Sequence, residues 1–215
     1  MKALADCRLY TFVDTAYLHG RKPAEIAHQL CDGGSDLIQL RAKNAPLDEI
    51  RLLAESVLPI TRAAGVGLVI NDHPQLALQL GADLCHLGQE DFFDAGHTRV
   101  DAVRGANSNL RIGLSTHASA QAERAIAAAA DYIAIGPVFA TPTKPGRPGV
   151  TLDYVRWAAT HVAVPWFAIG GITLQNLDSI LAAGARRICV VSAILNATDV
   201  AAACRQFKER LLSAR

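Results

Sequence analysis

Three features of the sequence predict a parallel (β/α)8 barrel of the TIM type. There are eight short β-rich apolar runs, an amphipathic stretch follows each, and polar residues stand just after nearly every run. Strands that alternate with helices pair in parallel through right-handed crossovers, and eight such units close a barrel. The expected strands are Arg8–Val13, Asp36–Leu40, Gly67–Ile70, Leu84–His86, Arg111–Leu114, Tyr132–Ile135, Trp166–Ile169 and Ile188–Val191. The expected helices lie near Pro23–Asp32, Pro46–Ala64, Pro74–Leu80, Asp101–Ala106, Ala118–Ala129, Thr151–His161, Leu174–Ala182 and Asp199–Leu212. A doubly wound open sheet shows the same alternation. It fits less well, because no G-x-G-x-x-G opens the first helix and the polar residues do not cluster at one switch point.

The 215 residues fit one domain spanning 1–215, since barrels of roughly 200–250 residues form single units. A composition that is 51% hydrophobic and 19% charged belongs to a globular chain and excludes a disordered tail. The net charge of +1 offers no footprint for nucleic acid or anionic lipid. Cys7, Cys31, Cys85, Cys189 and Cys204 are scattered, odd in number and without C-x-x-C spacing. They suggest neither a disulfide framework nor a zinc site, and they fit a reducing compartment. The first residues lack the apolar core of a signal peptide, and no run reaches the roughly 18 apolar residues of a membrane span. A cytoplasmic protein with small-molecule substrates is expected, with no nucleic-acid or membrane partner. The sequence leaves the oligomeric state open, a homo-oligomer included.

In a barrel the active site is built from the C-terminal ends of the strands and the loops that follow, so those positions carry the functional reading. Strand two ends in Gln39-Leu40-Arg41-Ala42-Lys43, and period-two spacing turns Gln39, Arg41 and Lys43 to one face. Converging cations need anionic partners, which a diphosphate would supply through charge-assisted hydrogen bonds. The competing reading is a structural salt-bridge network inside the barrel. Strand three ends in Asn71-Asp72-His73, and Gly88-Gln89-Glu90-Asp91 follows strand four. A hard cation such as Mg²⁺ takes one or two carboxylates plus phosphate oxygens and water, so Asp72 and Asp91 make a candidate pair. Asp91 reads equally well as a helix cap. His73, just before Pro74, reads as a surface residue.

Strand five ends in Gly113-Leu114-Ser115-Thr116-His117, which offers a hydroxyl to a substrate or to the next helix. His117 invites a catalytic role, but no nucleophile-elbow context or Ser/His/acid set accompanies it. A Gly- and Pro-punctuated stretch from Gly136 to Gly149, containing Thr141, Thr143 and Lys144, reads as a ligand-covering loop; its competitor is a solvated surface loop. Strand seven ends in Ile169-Gly170-Gly171-Ile172 and strand eight in Val190-Val191-Ser192. Barrels commonly hold a phosphate at these two ends, through loop amides and a short helix N-terminus.

Taken together, Gln39-x-Arg41-x-Lys43, Asn71-Asp72, His86-Leu87-Gly88-Gln89-Glu90-Asp91, Gly113-Leu114-Ser115, Gly136-Pro137, Thr141-x-Thr143-Lys144, Ile169-Gly170-Gly171-Ile172 and Val191-Ser192 resemble the thiamine phosphate synthase family. The resemblance runs from strand two to the last helix, with the motifs in the family's order. It implies an Mg²⁺-dependent transferase in which Gln39, Arg41, Lys43, Asn71, Ser115 and Lys144 bind 4-amino-2-methylpyrimidine diphosphate. Arg41, Lys43, Ser115 and Lys144 would be the catalytic set, and Asp72 and Asp91 would hold the metal. Thr141, Thr143, Gly171, Val191 and Ser192 would receive the thiazole phosphate.

Two other readings stand beside it. The thiazole tautomerase subgroup shares the barrel and the phosphate site, yet it can carry an imidazole after strand six, where this chain has Pro137. A non-catalytic phosphate-ligand barrel would bind at Gly171 and Ser192 without turnover. The combination of Asp72, Asp91 and Lys144 argues against it. One departure from the family pattern is the short segment from Lys144 to Gly149, within which Arg147 is a further cation without a motif.

Overall fold

The strands end where their hydrogen-bond ladders and dihedrals require, which is close to the expected places. In the computed structural model, which describes residues 1–105, 109–140 and 149–214, the strands are β1 (Leu9–Asp14), β2 (Leu37–Arg41), β3 (Gly67–Asn71) and β4 (Leu84–Leu87). They continue with β5 (Arg111–Thr116), β6 (Tyr132–Ile135), β7 (Trp166–Ile169) and β8 (Ile188–Cys189). All pair in parallel in sequence order, and β8 pairs with β1, so the sheet is a closed barrel. Most strand residues are buried on both faces, as expected where helices cover a parallel sheet.

The helices are α1 (Pro23–Asp32), α2 (Leu47–Ala63), α3 (Pro74–Leu80), α4 (Asp101–Arg104), α5 (Ser119–Ala127), α6 (Thr151–His161), α7 (Leu177–Ala182), α8 (Ser192–Leu195) and α9 (Val200–Ser213). Their local causes are visible in the sequence. Proline opens α1 and α3, where its fixed φ and missing N–H cost nothing. Gly81, at φ 63°, closes α3 in the left-handed region. Asp199 caps α9 by accepting from the Ala202 amide at 2.8 Å. Ile50, Ala54, Val57, Leu58 and Thr61 form the buried stripe of α2 at helical spacing. No helix among the described residues is long and apolar enough to cross a membrane.

Most bounds shift by one or two residues from expectation, and two of the shifts have a clear local reason. Helix α7 begins at Leu177 and not at Leu174, because the Asn176 side chain donates to the Gly171 carbonyl and accepts from the Thr173 amide. Those bonds hold 171–176 as a loop in competition with the helix. Strand β8 stops at Cys189 because Val191, at φ −111° and ψ −88°, has left the extended region and caps α8.

The middle of the barrel is aromatic. Phe167 meets Tyr10 and Tyr132 edge-on, with ring centroids 5.4 Å and 5.7 Å away. At the strands' N-terminal end the buried Asp36 carboxylate accepts from the Arg8 and Leu9 amides and pairs with Lys2 at 2.8 Å and with Lys208. This cluster ties the starts of β1 and β2 to α9, at the opposite end from the polar strand termini.

Candidate active site

Two adjoining hollows open at the C-terminal end of the barrel. One is lined by Tyr10, Phe12, Asp14, Gln39, Arg41, Asn71 and His86, the other by Thr116, His117, Gly136, Pro137, Gly170, Gly171, Ile172, Val190 and Ser192. Ser115, Ala134, Ile169, Cys189 and Val191 border both. The polar residues of β1 to β4 therefore face one compartment and the glycine-rich ends of β6 to β8 the other.

In the first hollow, Gln39 and Arg41 stand on β2, while Lys43 lies in the turn beyond it and is exposed. Arg41 donates to the Asp14 carboxylate at 2.8 Å, and Asp14 also accepts from the Ala16 amide at 3.1 Å. The predicted cationic face is thus partly a structural ion pair, because Asp14 occupies the β1 position in register with Arg41.

Asp72 follows β3 at φ 60°, a left-handed conformation that non-glycine residues adopt mainly where their surroundings impose it. Its amide donates to the His86 carbonyl at 2.9 Å, and its carboxylate accepts from the Asn71 side-chain amide at 2.5 Å. Burial raises the Asp72 pKa and the nearby Asp91 charge adds to the rise; the Asn71 hydrogen bond and the Lys43 charge oppose it. Asp91 sits in a π-helical turn, Glu90–Asp94, and its side chain is exposed. Its Oδ2 accepts from the Gly88 amide at 3.2 Å, so it bonds back along the loop without being the N-cap residue, which is Gln89. Among the described residues no group of three or more His, Cys, Asp and Glu side chains is arranged to hold a metal. Two repelling carboxylates that supply only oxygen donors are nevertheless a set that fits a hard cation completed by phosphate and water.

Between the hollows, Ser115 Oγ lies 2.9 Å from His86 Nε2, and the Gln89 side-chain amide donates to the Ser115 carbonyl at 2.6 Å. In the second hollow, Gly170 (φ 106°) and Gly171 (φ 62°) need their missing side chains for packing as well as for dihedral freedom. A Cβ on Gly170 would come within 2.5 Å of Pro137, and one on Gly171 within 2.8 Å of Phe139. Ser192 is the first residue of α8, whose first internally bonded amide is that of Ile194. Such a helix start leaves earlier amides for an acceptor. His117 pairs through Nδ1 with the Gly136 carbonyl, fixing the turn after β6.

The family described as thiamine monophosphate synthase matches over residues 9–194. The chain belongs to that family. A thiamine-phosphate synthase of Thermus thermophilus is 49% identical over 180 residues, covering 83% of this chain and 84% of the relative. One from Acidothermus cellulolyticus is 44% identical over 218 residues, covering all of both chains. The solved structure of a thiamine phosphate pyrophosphorylase from Pyrococcus furiosus superposes with a TM-score of 0.85 at 27% identity, over 99% of each chain. The family match takes in every strand and both hollows.

The predicted site residues therefore divide into three groups. Gln39, Arg41, Asn71 and Ser115 line the first hollow, and Lys43 and Asp91 act electrostatically on Asp72, the residue after Asn71. Gly171, Val191 and Ser192 line the second. Thr141, Thr143 and Lys144, with Arg147, lie outside the described residues. Sequence reasoning missed Asp14, whose strand was expected to end at Val13, and it gave no role to Tyr10 or Tyr132. An acidic residue one position past a strand, opposite an arginine in register, was the signal available for Asp14.

Proposed function

We propose that this chain is a thiamine phosphate synthase that joins the pyrimidine diphosphate to a thiazole phosphate and releases pyrophosphate, with carbon dioxide lost as well when the thiazole carries a carboxylate. The observation that carries the reading is the pair of adjoining hollows sharing Ser115, one with Arg41, Gln39 and Asn71, the other lined by glycine backbone and Ser192. A two-substrate alkyl transfer needs such a division.

The thiazole ring nitrogen forms a bond to the pyrimidine methylene carbon, while the carbon–oxygen bond to the diphosphate breaks and its electron pair leaves with pyrophosphate. The aminopyrimidine delocalises positive charge, so the displacement is dissociative and resembles a carbocation. Such a step asks the protein for alignment and leaving-group stabilisation more than for a nucleophile or base. Arg41 and Lys43 face the diphosphate with cationic hydrogen bonds, and Gln39, Asn71 and Ser115 orient the pyrimidine end. Asp72 and Asp91 would hold Mg²⁺, which when bound supplies positive charge to the departing diphosphate. Gly171, Val191 and Ser192 receive the thiazole phosphate at the ends of β7 and β8. Thr141, Thr143 and Lys144 complete the two subsites on the strength of the motif resemblance alone.

Pro137, which lines the second hollow, stands where a tautomerase can place its imidazole, and this favours the synthase. Five free cysteines fit a cytoplasmic setting. The test is incubation of the purified protein with both substrates and Mg²⁺. Equimolar thiamine phosphate and pyrophosphate are expected; a folded sample that forms neither contradicts the reading.

A further inference from the structure

A continuous hydrogen-bonded chain crosses the barrel interior along the wall of the first hollow. Gln39 Nε2 donates to Tyr10 Oη at 2.5 Å, Tyr10 Oη lies 3.2 Å from Tyr132 Oη, Tyr132 Oη lies 3.0 Å from His86 Nδ1, and His86 Nε2 lies 2.9 Å from Ser115 Oγ. Its members come from five different strands, and Tyr10 and Tyr132 are essentially inaccessible to solvent. We infer that Tyr10 and Tyr132 are positioning residues that fix His86 as its neutral Nε2–H tautomer and thereby make the Ser115 hydroxyl a hydrogen-bond donor toward the bound pyrimidine diphosphate. The inference rests on the proposed function for the identity of that ligand.

The direction of the chain follows from what each group can do. An amide nitrogen can only donate, so Tyr10 Oη accepts from Gln39, and the Tyr10 proton is satisfied when it is given to its other partner, Tyr132 Oη. Tyr132 then has one proton left to give, and its other partner is His86 Nδ1. An imidazole that accepts at Nδ1 carries its proton on Nε2, and that proton goes to Ser115 Oγ. Ser115 accepts from the ring, so its own proton is directed elsewhere, and its side chain borders both hollows. Burial pushes the pKa of both phenols well above the usual range, so each keeps the proton the chain requires. A buried network whose donors and acceptors match in sequence also holds its end group in one orientation.

A second observation concerns Gly113, which lies in register with Tyr132 on the neighbouring strand. A Cβ there would fall 2.0 Å from Tyr132 Cζ and 2.5 Å from its hydroxyl. The absence of a side chain at 113 is thus what lets the Tyr132 ring reach His86. This gives the glycine of the Gly113-Leu114-Ser115 motif a physical reason.

The test combines a nitrogen NMR spectrum of the imidazoles with steady-state kinetics. In the wild-type protein at neutral pH, His86 should show a pyrrole-like Nε2 and a pyridine-like Nδ1. A pyrrole-like Nδ1, or an imidazolium, overturns the inference. Tyr132→Phe keeps the ring that packs on Gly113 and removes only the hydroxyl. It should lower kcat/KM for the pyrimidine diphosphate about tenfold while the thiazole phosphate KM stays within about twofold, the effect of one lost hydrogen bond. Unchanged kinetics, or equal losses on both substrates, would show that the tyrosine does not act through Ser115. If Tyr132→Phe does not fold, the wild-type spectrum decides alone. If the wild type makes no thiamine phosphate, the functional reading fails while the tautomer remains measurable.

Discussion

The Asp14 carboxylate stands 2.8 Å from the Arg41 guanidinium, and the two side chains are 1% and 16% exposed. The cation proposed to face the diphosphate is therefore already held by a buried anion on the neighbouring strand. The pair fixes the orientation of Arg41 before substrate arrives, and preorganised charge is most effective when nothing has to move at the moment of reaction.

Removing Arg41 consequently does two things at once. Arg41→Ala should lose pyrimidine diphosphate turnover and also destabilise the fold by about 3–5 kcal/mol, because Asp14 is left buried and unpaired. The double substitution Asp14→Asn with Arg41→Ala should recover much of the stability and none of the activity. Chemical denaturation and steady-state assays on the same samples separate the two effects.

Asp91 behaves in the opposite way, since its side chain is exposed and accepts from the Gly88 amide of its own loop. Asp91→Ala should change stability by about 0.5 kcal/mol or less, as for other surface positions, while raising the Mg²⁺ concentration needed for turnover. A large fall in thermal stability with unchanged metal dependence would instead identify Asp91 as a structural cap.

The barrel was legible in the sequence because each strand is a short apolar run and each helix carries its own start or stop signal, such as Pro23, Pro74 and Gly81. Strands β6 and β7 and helices α1, α3 and α6 match their expected bounds. Misplaced boundaries arose where a side chain competes for backbone groups, as Asn176 does before α7. Most strand-end site residues were legible because parallel barrels gather their strand termini at one mouth. The Asp14–Arg41 pair and the tyrosine chain were not, because both depend on register and on the reach of side chains across the barrel. Periodicity carries neither.

At the far end of the barrel, Asp36 links stability to pH. Burial alone would raise its pKa, but the hydrogen bonds from Lys2 and Lys208 and from the Arg8 and Leu9 amides outweigh it, so the pKa is lowered. A group whose folded pKa lies below its unfolded value of about 3.9 stabilises the protein fully above that value and loses its contribution as pH falls through the folded pKa. Asp36→Asn should destabilise the protein by about 3 kcal/mol at neutral pH, a loss typical of hydrogen bonds to a charged group. It should also flatten the decline of stability in acid while leaving kcat intact. Urea midpoints measured from neutral pH into the acid range check both.

Gly170 tests the second hollow. With φ at 106° and Pro137 in the way of a Cβ, Gly170→Ala should cost about 1–3 kcal/mol from overpacking and raise the thiazole phosphate KM more than the pyrimidine diphosphate KM. Calorimetry and substrate titrations measure these separately.

The proposed metal site at the leaving group is tested most directly by anomalous scattering from crystals grown with Mn²⁺ and pyrophosphate. The expected result is one metal peak within about 2.2 Å of carboxylate oxygens of both Asp72 and Asp91, with pyrophosphate between it and Arg41 and Lys43. A peak elsewhere in the molecule, or pyrophosphate bound at the ends of β7 and β8 with no metal between the two aspartates, would contradict it.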